Sequence, residues 1–201
     1  MPASPLNDLR KSLARLDYTR DRMEKLYHAD RIALRDLHSV YEALFIRAVT
    51  SFETFLQDQF VAIMRGKAKY KPARRVLTRM TAVSSAALRD ILLQGRAYAT
   101  WLPFDNTQKR ALVYLRDGKP FSDVPEVDRL TMRKITVIRN AIAHQSTYAI
   151  AEFEKVIAGI PLRPQERKPA GFLRSTMRAA PPQNRFEFYV SELGRIAAGI
   201  C

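Results

Sequence analysis

The chain has 201 residues, 47% of them apolar, and 34 Lys and Arg stand against 20 Asp and Glu for a formal net charge of +14. This length predicts one domain with room for an appendage, and this apolar content excludes wholesale disorder. Cys201 is the single cysteine and the last residue, so an internal disulfide framework and a thiolate metal cluster are both excluded.

The opening Met1-Pro2-Ala3-Ser4-Pro5 lacks a basic n-region and an apolar h-region. No apolar run approaches the roughly 18 residues of a membrane span. Both observations predict a cytoplasmic chain with no membrane partner.

Helical periodicity runs through most of the sequence. Leu6, Leu9, Leu13, Leu16, Met23 and Leu26 predict a first helix over 6–28, started by Ser4-Pro5 or Asn7. Asp30 is the expected cap of a longer second helix reaching about Arg65. Its core stripe is Leu34, Leu37, Tyr41, Leu44, Ala48, Phe52, Phe55 and Ile63. Gly66 and the run over 65–75 break that pattern. Ser84-Ser85 predicts a short helix to Leu93, stopped by Gly95, and residues 106–117 predict another. Pro125 suits the first turn of a helix over 125–145. A further helix over 147–158 ends at Gly159-Ile160-Pro161. Residues 161–183 are Pro-rich and basic and read as an extended arm. Phe186, Val190, Leu193, Ile196 and Ala197 predict an amphipathic helix over 185–198. No strand is expected. The expected fold is all-α, a bundle of four to five main helices over 1–160, followed by a basic arm and an amphipathic helix over 161–201.

Charge is uneven along the chain. Residues 1–60 carry nine basic and nine acidic side chains, so the whole excess lies beyond them. Residues 65–79 hold Arg65, Lys67, Lys69, Lys71, Arg74, Arg75 and Arg79 with no acid. Residues 163–185 hold Arg163, Arg167, Lys168, Arg174, Arg178 and Arg185 against Glu166 alone. Such clusters suit a polyanion such as nucleic acid. A solvated basic surface is the plainer explanation.

Known catalytic motifs are missing. His28, His38 and His144 form no zinc-binding spacing, and no phosphate-binding Gly-rich loop or nucleophile elbow occurs. The informative stretch is Ile138-Arg139-Asn140-Ala141-Ile142-Ala143-His144-Gln145. At about 100° per residue, Val127, Thr131, Ile135, Ile138 and Ile142 share one stripe, the expected core face. Asn140 and His144 are i, i+4 neighbours on nearly the opposite face, with Arg139 on the flank. Thr136 and Ala143 are the small residues between them. An imidazole near its ordinary pKa can move a proton, a guanidinium can hold a phosphate, and an amide can orient either. Together these groups suffice for RNA cleavage by the RNA's own 2′-OH, without a metal or other cofactor.

Arg139-Asn140-Ala141-Ile142-Ala143-His144 resembles the R-x(4–6)-H motif of HEPN domains, over about residues 30–160. Arg22 and Arg31 precede His28 and His38 at similar spacing, but only 139–144 adds the Asn, the small spacers and a late helix. The resemblance implies a HEPN-like helical bundle. It also implies a metal-independent endoribonuclease of toxin–antitoxin or phage-defence type, leaving 2′,3′-cyclic phosphate ends. Arg139, Asn140 and His144 would be the catalytic group. A homodimer with a composite cleft and a cognate antitoxin or defence partner are further implications. Thr50-Ser51-Phe52-Glu53-Thr54-Phe55-Leu56 is similar to the long second helix of several such groups and offers Glu53 as a support for Arg139. Lys67, Lys69, Lys71, Arg74 and Arg75 are the expected RNA-phosphate contacts.

Structural roles compete with these. His144 can favour its helix dipole, Arg139 can pair with an acid, Asn140 can be a packing amide, and Glu53 can bridge elsewhere. Two rival readings are a non-catalytic HEPN module that binds RNA or a protein, and a helical interaction protein whose basic arm binds DNA or acidic partners.

Overall fold

The computed structural model describes residues 4–68, 84–93, 97, 99–177 and 181–201. The chain is all-α, with eight α-helices among these residues. They are α1 Pro5–His28, α2 Leu34–Met64, α3 Ser85–Leu93, α4 Phe104–Tyr114, α5 Glu126–His144, α6 Thr147–Ile157, α7 Pro169–Arg174 and α8 Arg185–Ile200. Two-residue strands β1 Thr176–Met177 and β2 Gln183–Asn184 pair antiparallel, with Thr176 opposite Asn184. That pair is a departure from the strand-free expectation. No described helix is long and apolar enough to cross a membrane.

Local chemistry sets the helix ends. The Ser4 hydroxyl accepts from the Asn7 amide at 3.3 Å, so Ser4 caps α1 with Pro5 at its first position. Asp30 does not cap α2. Its φ of 54° places it just past α1, where the Arg31 amide reaches the Leu26 carbonyl at 2.9 Å and the Asp30 amide reaches Tyr27 at 3.0 Å. This is a Schellman closure in which a short polar side chain tolerates the left-handed conformation. Gly66, with φ 65°, closes α2 in the same way through the Lys67 amide on the Ala62 carbonyl at 2.8 Å.

The chain forms two compact units. One comprises Met1–Leu9, Phe52–Arg133 and Gly194–Cys201, and the other Arg10–Ser51 and Lys134–Leu193. In the first, Phe60 is the centre of an aromatic cluster, with ring centroids 5.4 Å from Trp101 and 5.3 Å from Phe121. The Trp101 indole N–H donates to Gln57 Oε1 at 3.2 Å, which satisfies the polar edge of a buried ring. Val127 is 66% exposed, not part of the core stripe of α5. Its neighbour Asp128 is buried instead, because Arg195 on α8 donates to its Oδ1 at 2.5 Å and neutralises it. From Met132 onward the expected stripe holds, and Ile135, Ile138 and Ile142 are buried.

In the second unit, Tyr41 and Phe45 of α2 pack on Phe186 of α8, with centroids 5.5 and 6.4 Å apart. Phe153 of α6 meets Phe172 of α7 edge-on at 5.6 Å. The described part of 161–183 is therefore not an extended arm. Residues 164–167 make a 3-10 turn, Pro169 opens α7, and Ala170, Phe172 and Leu173 are buried. Gly171 makes this packing possible. A Cβ there would lie 2.1 Å from the Gln165 carbonyl oxygen, so only glycine fits.

Candidate functional site

Arg139, Asn140 and His144 all lie on the last turns of α5. Ile135, Ile138, Ala141 and Ile142 bury one side of this segment, which leaves the other side to solvent. Arg139 and Asn140 are half-buried, and His144 is exposed. Adjacent helical residues point about 100° apart. The Arg139 side chain nevertheless bends round the helix, and its Nη1 donates to Asn140 Oδ1 at 3.1 Å. This turns the guanidinium toward the face shared by Asn140 and His144, one turn apart. Thr136 is buried rather than part of that surface, so the patch is narrower than periodicity implies. It continues instead into the joint after α5, where Ala143 and residues 145–148 are exposed and Tyr148 is 76% exposed.

Two residues separate α5 from α6. Gln145 turns the chain with φ 44°, and Ser146 caps α6 by accepting from the Ala149 amide at 3.2 Å. His144 therefore sits at the C-terminal end of one helix and immediately before the capped start of the next. This arrangement can bind an anion through Arg139 and offer an imidazole to solvent for proton transfer.

The other expected site residues are distributed as follows. Glu53 is half-buried on α2 and is engaged rather than free. Lys67 is exposed directly after the Gly66 turn. Lys69, Lys71, Arg74 and Arg75 lie outside the described residues. Among the basic residues of 163–185, Arg163, Arg167 and Lys168 are exposed, but Arg174 and Arg185 are held internally. The Arg185 guanidinium lies 4.8 Å from the centre of the Phe172 ring and donates to the Ser175 hydroxyl at 2.5 Å.

Arg174 belongs to a polar network that motif reading does not find. Its Nε and Nη2 donate to the two oxygens of Glu24 at 2.9 and 3.1 Å. The Tyr41 hydroxyl donates to Glu24 Oε1 at 2.7 Å. Burial works against the Glu24 charge, but the bonds from Arg174 and Tyr41 outweigh it and hold the carboxyl below its usual range. Tyr41 is pushed well above its ordinary value by burial and by this hydrogen bond. His38, half-buried on α2, is pushed down by burial and then by the Arg174 charge, against the pull of Glu24. A period-3.6 stripe containing Tyr41 signals only core, and nothing local joins Glu24 to a residue 150 positions away. Compared with known proteins, the chain matches no family model, no curated protein and no solved structure.

Proposed function

We propose that this protein is a metal-independent endoribonuclease of HEPN type. The observation that carries the reading is the Arg139–Asn140 hydrogen bond, which turns a guanidinium toward the helix face bearing the exposed His144. In this scheme Arg139 holds the scissile phosphate and stabilises charge on its oxygens. Asn140 fixes the guanidinium. His144 takes the proton of the 2′-OH or delivers one to the 5′-leaving oxygen. The 2′-oxygen attacks phosphorus, the bond to the 5′-oxygen breaks, and the products are a 2′,3′-cyclic phosphate and a 5′-hydroxyl. DNA lacks the nucleophile and is spared. Lys67, with Lys69, Lys71, Arg74 and Arg75, supplies phosphate affinity without sequence choice. A homodimer that joins two such surfaces, and a cognate antitoxin or defence partner, complete the proposal.

The test is cleavage of total RNA and tRNA in excess EDTA, comparing wild type with His144→Ala and reading the product ends. Cyclic-phosphate ends that require His144 are the expected result. RNA binding without cleavage would point instead to a non-catalytic module.

A further inference from the structure

Residues 1–60 carry as many acids as bases, and in α1 that balance hides a sorting by direction. Lys11, Arg15, Tyr18, Arg22 and Lys25 follow one another at alternating intervals of four and three residues. At about 100° per residue they fall within about 80° of arc, on one face of the helix. All five are exposed, Tyr18 to 64%. All five belong to the second unit.

The acids of α1 are committed elsewhere. Asp8 stands in the first turn, where it favours the helix dipole. Asp17 and Asp21 lie beside the buried Arg20, with Asp21 Oδ1 2.6 Å from Arg20 Nη2. Glu24 is held by Arg174 and Tyr41. Asp17, Asp21 and Glu24 are centred about 110° round the helix from the basic row. Among the described residues, Lys11, Arg15, Arg22 and Lys25 have no carboxylate within ion-pair distance. The Arg22 guanidinium instead lies 5.9 Å from the centre of the Tyr18 ring, within the row itself.

The row runs about 21 Å along α1, the length of about six stacked nucleotides. A line of unpaired cations suits a polyanion, and an exposed ring among them suits a ligand with flat faces. A single-stranded nucleic acid has both properties. A duplex keeps its base faces stacked inside, and a membrane surface offers charge but no base to stack. We propose that this face of α1 binds single-stranded RNA, with phosphates on Lys11, Arg15, Arg22 and Lys25 and a base stacked on Tyr18. The choice of RNA over DNA rests on the ribonuclease reading, since the row itself addresses only phosphates and base faces.

The test is fluorescence anisotropy of the full chain with a labelled single strand of 2′-O-methyl RNA. This strand has no free 2′-OH and cannot be cut, so its binding is measured whether or not the chain is a ribonuclease. It should bind in the micromolar range. Tyr18→Ala should weaken binding at least about fivefold without changing its salt dependence, and Tyr18→Phe should bind like wild type. The double variant Arg15→Gln, Arg22→Gln should lower the slope of log affinity against log salt by about 1.4, or about 0.7 for each lost phosphate contact. These side chains are exposed, so the variants do not threaten folding. Arg47→Gln removes the same charge from an exposed position on α2 and should leave affinity unaltered. Indifference to Tyr18→Ala and to the double variant, an equal loss in Arg47→Gln, or equal affinity for the matching duplex would overturn the proposal. Binding to phosphatidylserine vesicles that the double variant abolishes, with no binding to the single strand, would assign the row to a membrane surface instead.

Discussion

The end of α5 and the Glu24 network are both rich in polar side chains, and they are built in opposite ways. At the end of α5 one hydrogen bond joins two consecutive residues, and the imidazole beyond them is exposed. Around Glu24 a single carboxylate receives two bonds from Arg174 and one from Tyr41, each across a long stretch of sequence. The first arrangement leaves donors and a base available to something outside the chain. The second uses its charge to fix α1, α2 and α7 to one another. Removing a side chain at the first should therefore cost chemistry, and at the second stability.

His144→Ala is the sharpest separation of the two. Cleavage should fall by at least about a hundredfold, while the thermal midpoint stays within a degree or so of wild type, because the side chain is exposed. A lowered midpoint would show that His144 is a structural residue. Gly171→Ala is the reverse experiment. Its methyl would meet a backbone oxygen, so the second unit should lose several kcal/mol, about 3 or more, read by urea unfolding. Arg174→Ala should cost less, about 1–3 kcal/mol, because Glu24 loses two donors but keeps Tyr41 and some solvent. If Arg174→Ala proved neutral, the network would be decoration on an already stable core.

Acid should act on the same network. The Glu24 carboxyl titrates lower when folded than its ordinary 4.5, so its contribution is complete above that value and disappears as pH falls through the lowered one. His38 also titrates lower when folded than its ordinary 6.5. The unfolded chain then binds the extra proton first, and stability declines as pH falls below about 6.5. Both effects have the same sign. Stability measured from pH 7 to pH 4 should fall, and less steeply in His38→Gln. The smallest expected effect is that of Lys67→Glu on RNA affinity, a severalfold loss that shrinks as salt rises. No change with salt would remove Lys67 from the interface.

The helices were largely legible in the sequence because their signals are local. Ser4, Gly66, Ser84, Gly159 and the apolar stripes of α2 and α8 mark ends and faces within a few residues. Where periodicity failed, a distant partner had changed the meaning of a side chain. Asp128 is buried in place of Val127 because Arg195 neutralises it, and Arg20 is buried because Glu187 does the same. The composition of 161–183 suggested solvent. It could not show that Gly171 lets α7 sit directly on the Gln165 backbone. The α5 motif was legible as spacing, but the bend of Arg139 onto its neighbour was not, since adjacent positions do not ordinarily meet on a helix.

The joint between α5 and α6 bears on His144 in one more way. A helix end normally frays, and a side chain in its last turn moves with it. Here the chain leaves through one left-handed residue, Gln145, and enters a capped helix at Ser146. The path of the backbone beside His144 is thus set by one left-handed residue and one capping bond. Gln145→Gly would ease the turn and loosen this footing. The fold would gain a more comfortable turn, and the backbone next to His144 would gain conformational freedom.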